Sequence, residues 1–201
     1  MRKLDHDLKR LEIAEVAARI IAADGMEALT TRNLAKAMGC SIGVLSHYFG
    51  AKAEIVLAAF NWATSSINER LRLALREDVS IRSLLPLIEA ALPHDEQSRI
   101  EWKVRLNLWS YAAADAQAAQ LLRRHMHEHR ETLLSLIAIL QRNGELRRDI
   151  SPPAVAQTLM DLIHGMGVSA LLELQHAAYA PLTAFTELID RIRVPAEQRP
   201  G

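Results

Sequence analysis

The sequence predicts an all-α fold in which a short three-helix segment at the N-terminus precedes a larger helical domain. Three observations predict it. Apolar residues recur every three to four positions over most of the chain, which is the period of one helix face. Capping and stopping residues punctuate that pattern at helix-length intervals. Alternating Val-, Ile- and Thr-rich runs are absent, and aromatic residues are only 4% of a chain that is half hydrophobic, a balance that favours helix over sheet.

The elements follow in order. A first helix is expected from about Leu8 to Ala23, with Ile13, Val16, Ala17, Ile20 and Ile21 on one face and Asp24-Gly25 as its stop. Thr30 is an N-cap for a second helix, Thr31 to Met38, which Gly39 ends. Ser41 caps a third, Ile42 to Tyr48, which Phe49-Gly50 breaks. A long helix is expected from Lys52 to Asp78 through Val56, Phe60, Ala63, Ile67, Leu71 and Ala74. Ser80 starts a helix that ends near Leu92-Pro93, and Asp95 caps Glu96 to Ala113. Asp115 opens a helix that runs to Asn143-Gly144. Ser151-Pro152, an oxygen cap followed by Pro at the first helical position, opens one that reaches about Gln175. Leu182 to Arg193 forms the last helix, and Pro195 to Gly201 a frayed tail.

Charge and cysteine content narrow the classes. The formal net charge is zero, which does not by itself announce a nucleic-acid partner. Residues 1–52 hold eight Lys/Arg against six Asp/Glu, a small positive excess that lets this end approach a polyanion. One cysteine, Cys40, excludes an internal disulfide, and a cytoplasmic location is expected. The N-terminus lacks the apolar stretch of a signal peptide. The apolar run Ala154 to Leu172 is interrupted by Gln157, Asp161 and His164, so it reads as a helix buried between partners and no membrane contact is expected.

The informative stretch is Thr30 to Lys52, TTRNLAKAMGCSIGVLSHYFGAK. Two short helices that cross steeply need a small residue where they meet, which Ala35 supplies. The turn needs a residue free to take positive φ, which Gly39 supplies four positions later. The second helix needs an apolar anchor under the turn, and Leu45 fits six positions further on. Leu34, Met38, Ile42 and Tyr48 are expected to complete the buried side. This is the spacing of a helix-turn-helix, whose second helix enters the major groove of duplex DNA. Gly43, Val44, Ser46 and His47 then face outward, small enough for close approach, with Ser46 and His47 able to hydrogen-bond base edges or phosphates. A helical hairpin in some unrelated all-α protein has the same spacing.

Helix 1, the turn and the ending Ser41, Gly43, Leu45, His47, Tyr48, Phe49 and Lys52 resemble the DNA-binding domain of the tetracycline-repressor (TetR) family. The resemblance implies a DNA-binding domain over residues 1–52 and a ligand-binding and dimerisation domain over 53–201. It implies a homodimeric repressor that holds a double-stranded DNA operator and releases it when a small-molecule effector binds. By the same resemblance Thr31, Ser41, His47, Tyr48 and Lys52 are phosphate contacts, and Gly43, Val44 and Ser46 lie near base edges. Arg32 and Ile42 complete the candidate DNA-binding set. Ser46 stands where the family often has Tyr. Ser46-His47-Tyr48-Phe49, with Leu106-Asn107-Leu108-Trp109 and Leu162-Ile163-His164-Gly165, is similar to the choline-responsive regulators of betaine synthesis, which more often have Asp at the position of His164.

Trp62, Trp102, Trp109 and Tyr111 are candidate walls of an effector cavity among the central helices, since indole faces attract quaternary ammonium ions, and ordinary core packing accounts for them equally. His164, beside Gly165 and Gly167, is either a pocket hydrogen-bond donor or an interface histidine. His125 and His129 have ligand spacing on one helix face, but two ligands without a cysteine make no zinc site, so no metal and no cofactor is expected. No phosphate-binding Gly loop, HExxH or G-x-S-x-G motif occurs, and no enzyme is predicted. A helical enzyme and a protein-binding adaptor are the competing classes; salt-dependent binding to duplex DNA separates the adaptor from a repressor.

Overall fold

The computed structural model describes residues 2–74, 80–173 and 182–195. Among them lie α1 (Arg2–Asp24), α2 (Thr31–Met38), α3 (Ile42–Tyr48), α4 (Lys52–Ala74), α5 (Leu84–Ala91), α6 (Glu96–Ala112), α7 (Ala116–Arg142), α8 (Pro152–Leu171) and α9 (Thr183–Ile192). Short 3₁₀ turns at Met26–Ala28 and Ile81–Ser83 lead into α2 and α5. The fold is all-α. Its one extended pairing among the described residues is an isolated antiparallel bridge between Leu146 and Arg193.

Local chemistry explains most of these boundaries. The Thr30 side chain accepts from the Asn33 N–H at 3.1 Å, and Ser41 from the Val44 N–H at 3.3 Å, so both short helices begin at a satisfied cap. Gly39 closes α2 in the left-handed region at φ 63°, where any other residue is strained. Asp95 and Ser98 cap α6 reciprocally. Four expectations need correction. Helix α1 starts at Arg2 instead of Leu8. The helix expected from Ser80 begins as a 3₁₀ turn and becomes α-helical at Leu84. Ser151 makes no side-chain cap bond, so α8 is started by its prolines alone. Helix α8, expected to reach about Gln175, ends at Leu171: Leu172 and Glu173 form a turn, with Glu173 in the left-handed region at φ 56°. The expected end of α4 at Asp78 lies outside the described residues, as does most of the expected tail.

The chain divides into two compact units. The first takes in Met1–Asn68 and Asp95–Leu122. Its core joins Ile13, Ala17 and Ile21 of α1, Leu34 and Ala35 of α2, Leu45 of α3, Val56 and Phe60 of α4 and Leu108 of α6. Helix α4 buries its first turns in the same core as α1 to α3. The second unit takes in Glu69–His94 and Arg123–Gly201, and its core combines Leu84 and Ile88 of α5, Ile137 and Leu140 of α7, Leu159 of α8 and Phe185 of α9. No helix among the described residues is long and apolar enough to cross a membrane.

Candidate nucleic-acid interface

Helices α2 and α3 are short, and each is tied to the core by few side chains. In α3 only Leu45 is fully buried, at 1% exposure. Phe49 follows one turn later at 4%. These two fix the roll of the helix and turn Ser41, Gly43, Val44, Ser46 and His47 outward, all of them exposed. Ile42 is 46% exposed, against the expectation that it would lie on the buried side. It is the first residue of α3, one turn ahead of Leu45, where the helix has run out past the core that Leu45 reaches. Met38 and Tyr48 are half-buried, and Thr31, Arg32 and Lys52 are exposed.

The geometry narrows the chemistry of each group. The Ser46 hydroxyl donates to the Ile42 carbonyl at 3.1 Å, so its oxygen faces outward as an acceptor, suited to an amino group on a base edge. Gly43 has an ordinary φ, and a Cβ there would meet only the Ser41 hydroxyl at 3.7 Å, an unstrained contact. The fold itself therefore does not require glycine at 43. His47 stands in the last turn of α3.

Three basic or aromatic residues missed by the spacing argument complete the site. Arg10 of α1 donates to the carbonyl of Tyr48, the last residue of α3, and its guanidinium lies 4.1 Å above the Phe49 ring. Lys9 pairs with Glu12 at 2.8 Å, and that hydrogen bond raises its pKa above the ordinary value. His6 packs its ring against Tyr48 at 4.9 Å. All three precede or begin the apolar stripe of α1, so no helix periodicity marks them.

The candidate effector residues are divided between the two units. Trp62, Trp109 and Tyr111 are half-buried and Trp102 is fully buried, all in the first unit, whereas half-buried His164 belongs to the second. The Trp102 and Trp109 rings meet edge-to-face at 6.3 Å, and the Arg105 guanidinium covers the Trp102 ring at 4.1 Å. Tyr111 lines a cleft of about 110 Å³ with Glu54, Leu57, Leu108, Asp115 and Leu121. Both carboxylates there already accept backbone bonds, Glu54 from Gly50 at 3.0 Å and Asp115 from Ala118 at 2.8 Å. The His125 and His129 rings are 6.5 Å apart, and no group of three or more His, Cys, Asp or Glu able to hold a metal occurs among the described residues.

Comparison with known proteins decides the family. The family model for bacterial regulatory proteins of the tetR family matches residues 13–59, and that for the BetI-type transcriptional repressor C-terminal domain matches residues 81–192. The chain belongs to the TetR family. The first match covers the second half of α1, α2, α3 and the start of α4, and the second covers α5 to α9. The TetR-family regulator PksA of Bacillus subtilis is 27% identical over 86% of this chain and 83% of its own length. A BetI regulator of Burkholderia ambifaria is 30% identical over 57% of this chain and 60% of its own. In fold, a regulator from Saccharomonospora viridis, solved in complex with choline, superposes with a TM-score of 0.81 at 24% identity, covering 94% of this chain and all of that one. This TetR-family chain is a DNA-binding transcriptional regulator with a BetI-type C-terminal region, and its relatives are regulators and repressors, not enzymes.

Proposed function

We propose that the protein is a homodimeric repressor that holds a palindromic operator through α3 and lets it go when a small-molecule effector binds. The observation that carries this reading is the outward face of α3, where Ser41, Ile42, Gly43, Val44, Ser46 and His47 stand exposed on a helix pinned by Leu45 and Phe49. In it, Gly43, Val44 and Ser46 approach base edges, and Thr31, Arg32, Ser41, His47, Tyr48 and Lys52 engage phosphates, with Ile42 packing on the groove wall. Two-fold symmetry presents two such helices, so half-sites lie one or more helical turns apart. The apolar surface of α8 and α9 supports dimerisation: Leu162 and Ile163 are only partly covered and Leu172 is 52% exposed. The division into a DNA module of residues 1–52 and an effector and dimerisation domain of 53–201 belongs to the same reading, as does a cytoplasmic location.

The effector class is that of choline and its oxidation products. The BetI-type C-terminal match and the choline-bound fold neighbour support it, as do the half-buried rings of Trp62, Trp109 and Tyr111 in the first unit. An effector wedged beside α4 tilts it and changes the separation of the recognition helices, with a coupling of about 1–3 kcal/mol. A gel shift with the duplex upstream of the protein's own gene is expected to give a salt-sensitive complex that choline or betaine aldehyde dissolves. No salt-dependent complex overturns the repressor reading; a complex indifferent to both compounds overturns the effector class alone.

A further inference from the structure

The first turns of α1 reach the end of α3 through an aromatic cluster. His6 lies 4.9 Å from Tyr48 and 5.9 Å from His47, and His47 lies 5.1 Å from Tyr48, measured between ring centroids. The His6 side chain keeps 40% of its surface exposed, and His47 is exposed as well. Two imidazoles from two different helices therefore share one solvent-facing patch at the end of the recognition helix. The core of the unit does not need His6: the buried apolar stripe of α1 begins at Ile13, and Leu8 and Leu11 ahead of it are each 56% exposed.

We propose that His6 is a further DNA-contacting residue: its imidazolium engages a backbone phosphate beside His47, which makes the start of α1 a fourth element of the interface, beside α2, α3 and the first turn of α4. This rests on the reading of α3 as the recognition helix. The surrounding charges are mixed. On α1 the Asp7 carboxylate stands 4.0 Å from His6 Nδ1, with Asp5, Lys9 and Glu12 near it in sequence, and Arg10 is committed to the Tyr48 carbonyl. From α3, His47 and Tyr48 face it. A phosphate seated beside both rings favours their protonated forms. DNA binding then takes up protons, so affinity falls as pH rises across the histidine range.

The test uses the full-length protein and a duplex that the wild type itself enriches from a random-sequence pool. Affinity is measured at constant ionic strength from about pH 6 to about pH 8, spanning the histidine range. Wild type is expected to bind more tightly at the acid end. His6→Ala should lose about tenfold at that end, the worth of one charge-assisted hydrogen bond, and little at the alkaline end. His6→Lys should keep the affinity and flatten the pH dependence, a result that a merely structural role for His6 would not produce. If His47→Ala weakens binding while His6→Ala leaves affinity and its pH slope untouched, this inference is wrong and the α3 reading stands. If neither substitution matters, the α3 reading itself has failed.

Discussion

Helices α3 and α6 belong to the same compact unit and use their polar residues in opposite ways. In α3 one leucine goes in and the polar groups go out. In α6 the polar groups go in: Ser98 and Glu101 are fully buried and Arg105 is 7% exposed, around a Trp102 with no exposed surface. The Gln97 amide donates to Glu101 at 3.2 Å, and Arg105 lies across the Trp102 ring. An exposed polar face costs the fold nothing and is free to meet a partner. Buried ions are retained only when neighbours compensate them, so they act on stability first. A polar substitution in α3 should therefore change binding, and one in α6 should change folding.

The largest effect that would sharpen this contrast is at Arg105. Arg105→Ala strips a buried cation from the Trp102 face and from the surroundings of Glu101, and is expected to lower unfolding free energy by about 3 kcal/mol in a denaturant titration. Wild-type stability would break the contrast outright. On the other side, His47→Ala and Tyr48→Ala should each weaken operator binding by about 1–3 kcal/mol, with an unchanged melting curve for His47→Ala. Unchanged affinity in both would remove α3 from the interface.

Smaller effects separate contact from positioning. Arg10→Ala is expected to cost about 1 kcal/mol of specific affinity, because the end of α3 loses its clamp, while the slope of binding against salt stays the same. A slope reduced by about 1 would make Arg10 a phosphate contact instead. Thr30→Ala should lower stability by about 1 kcal/mol through the lost cap of α2. The smallest effect concerns the flank of α7. Burial holds the His125 imidazole below its ordinary value, against the opposing pull of Glu128. The unfolded chain thus binds this proton more readily than the folded one. Stability present at neutral pH is lost as pH falls through the unfolded value of about 6.5, and His125→Gln should flatten that decline in melting temperature.

Legibility in the sequence follows the same division. The bounds of α2 and α3 fall at the residues expected because their signals are local: a hydroxyl cap, a left-handed glycine and an apolar residue at each needed offset. The outward set on α3 follows from Leu45 alone once the helix is placed. The start of α1 was not legible, since residues 2–7, RKLDHD, show charge without a stripe, and what His6 and Arg10 touch is 38 or more residues away in sequence. Ile42 was misplaced because period alone cannot say where a core ends. In α6 the apolar period says nothing of the buried Glu101 and Arg105; charges one turn apart on either side of Trp102 were the cue available.

Gly43 has a use as a gauge. Since nothing in the chain crowds a side chain there, alanine at this position adds a methyl to the outer rim and leaves the fold undisturbed. Any loss in operator affinity would then report how tightly the duplex is seated against the backbone, and a series of larger residues would map the clearance step by step. Few positions in a regulator separate fit from folding so cleanly, because most glycines are kept for the conformation of their own chain.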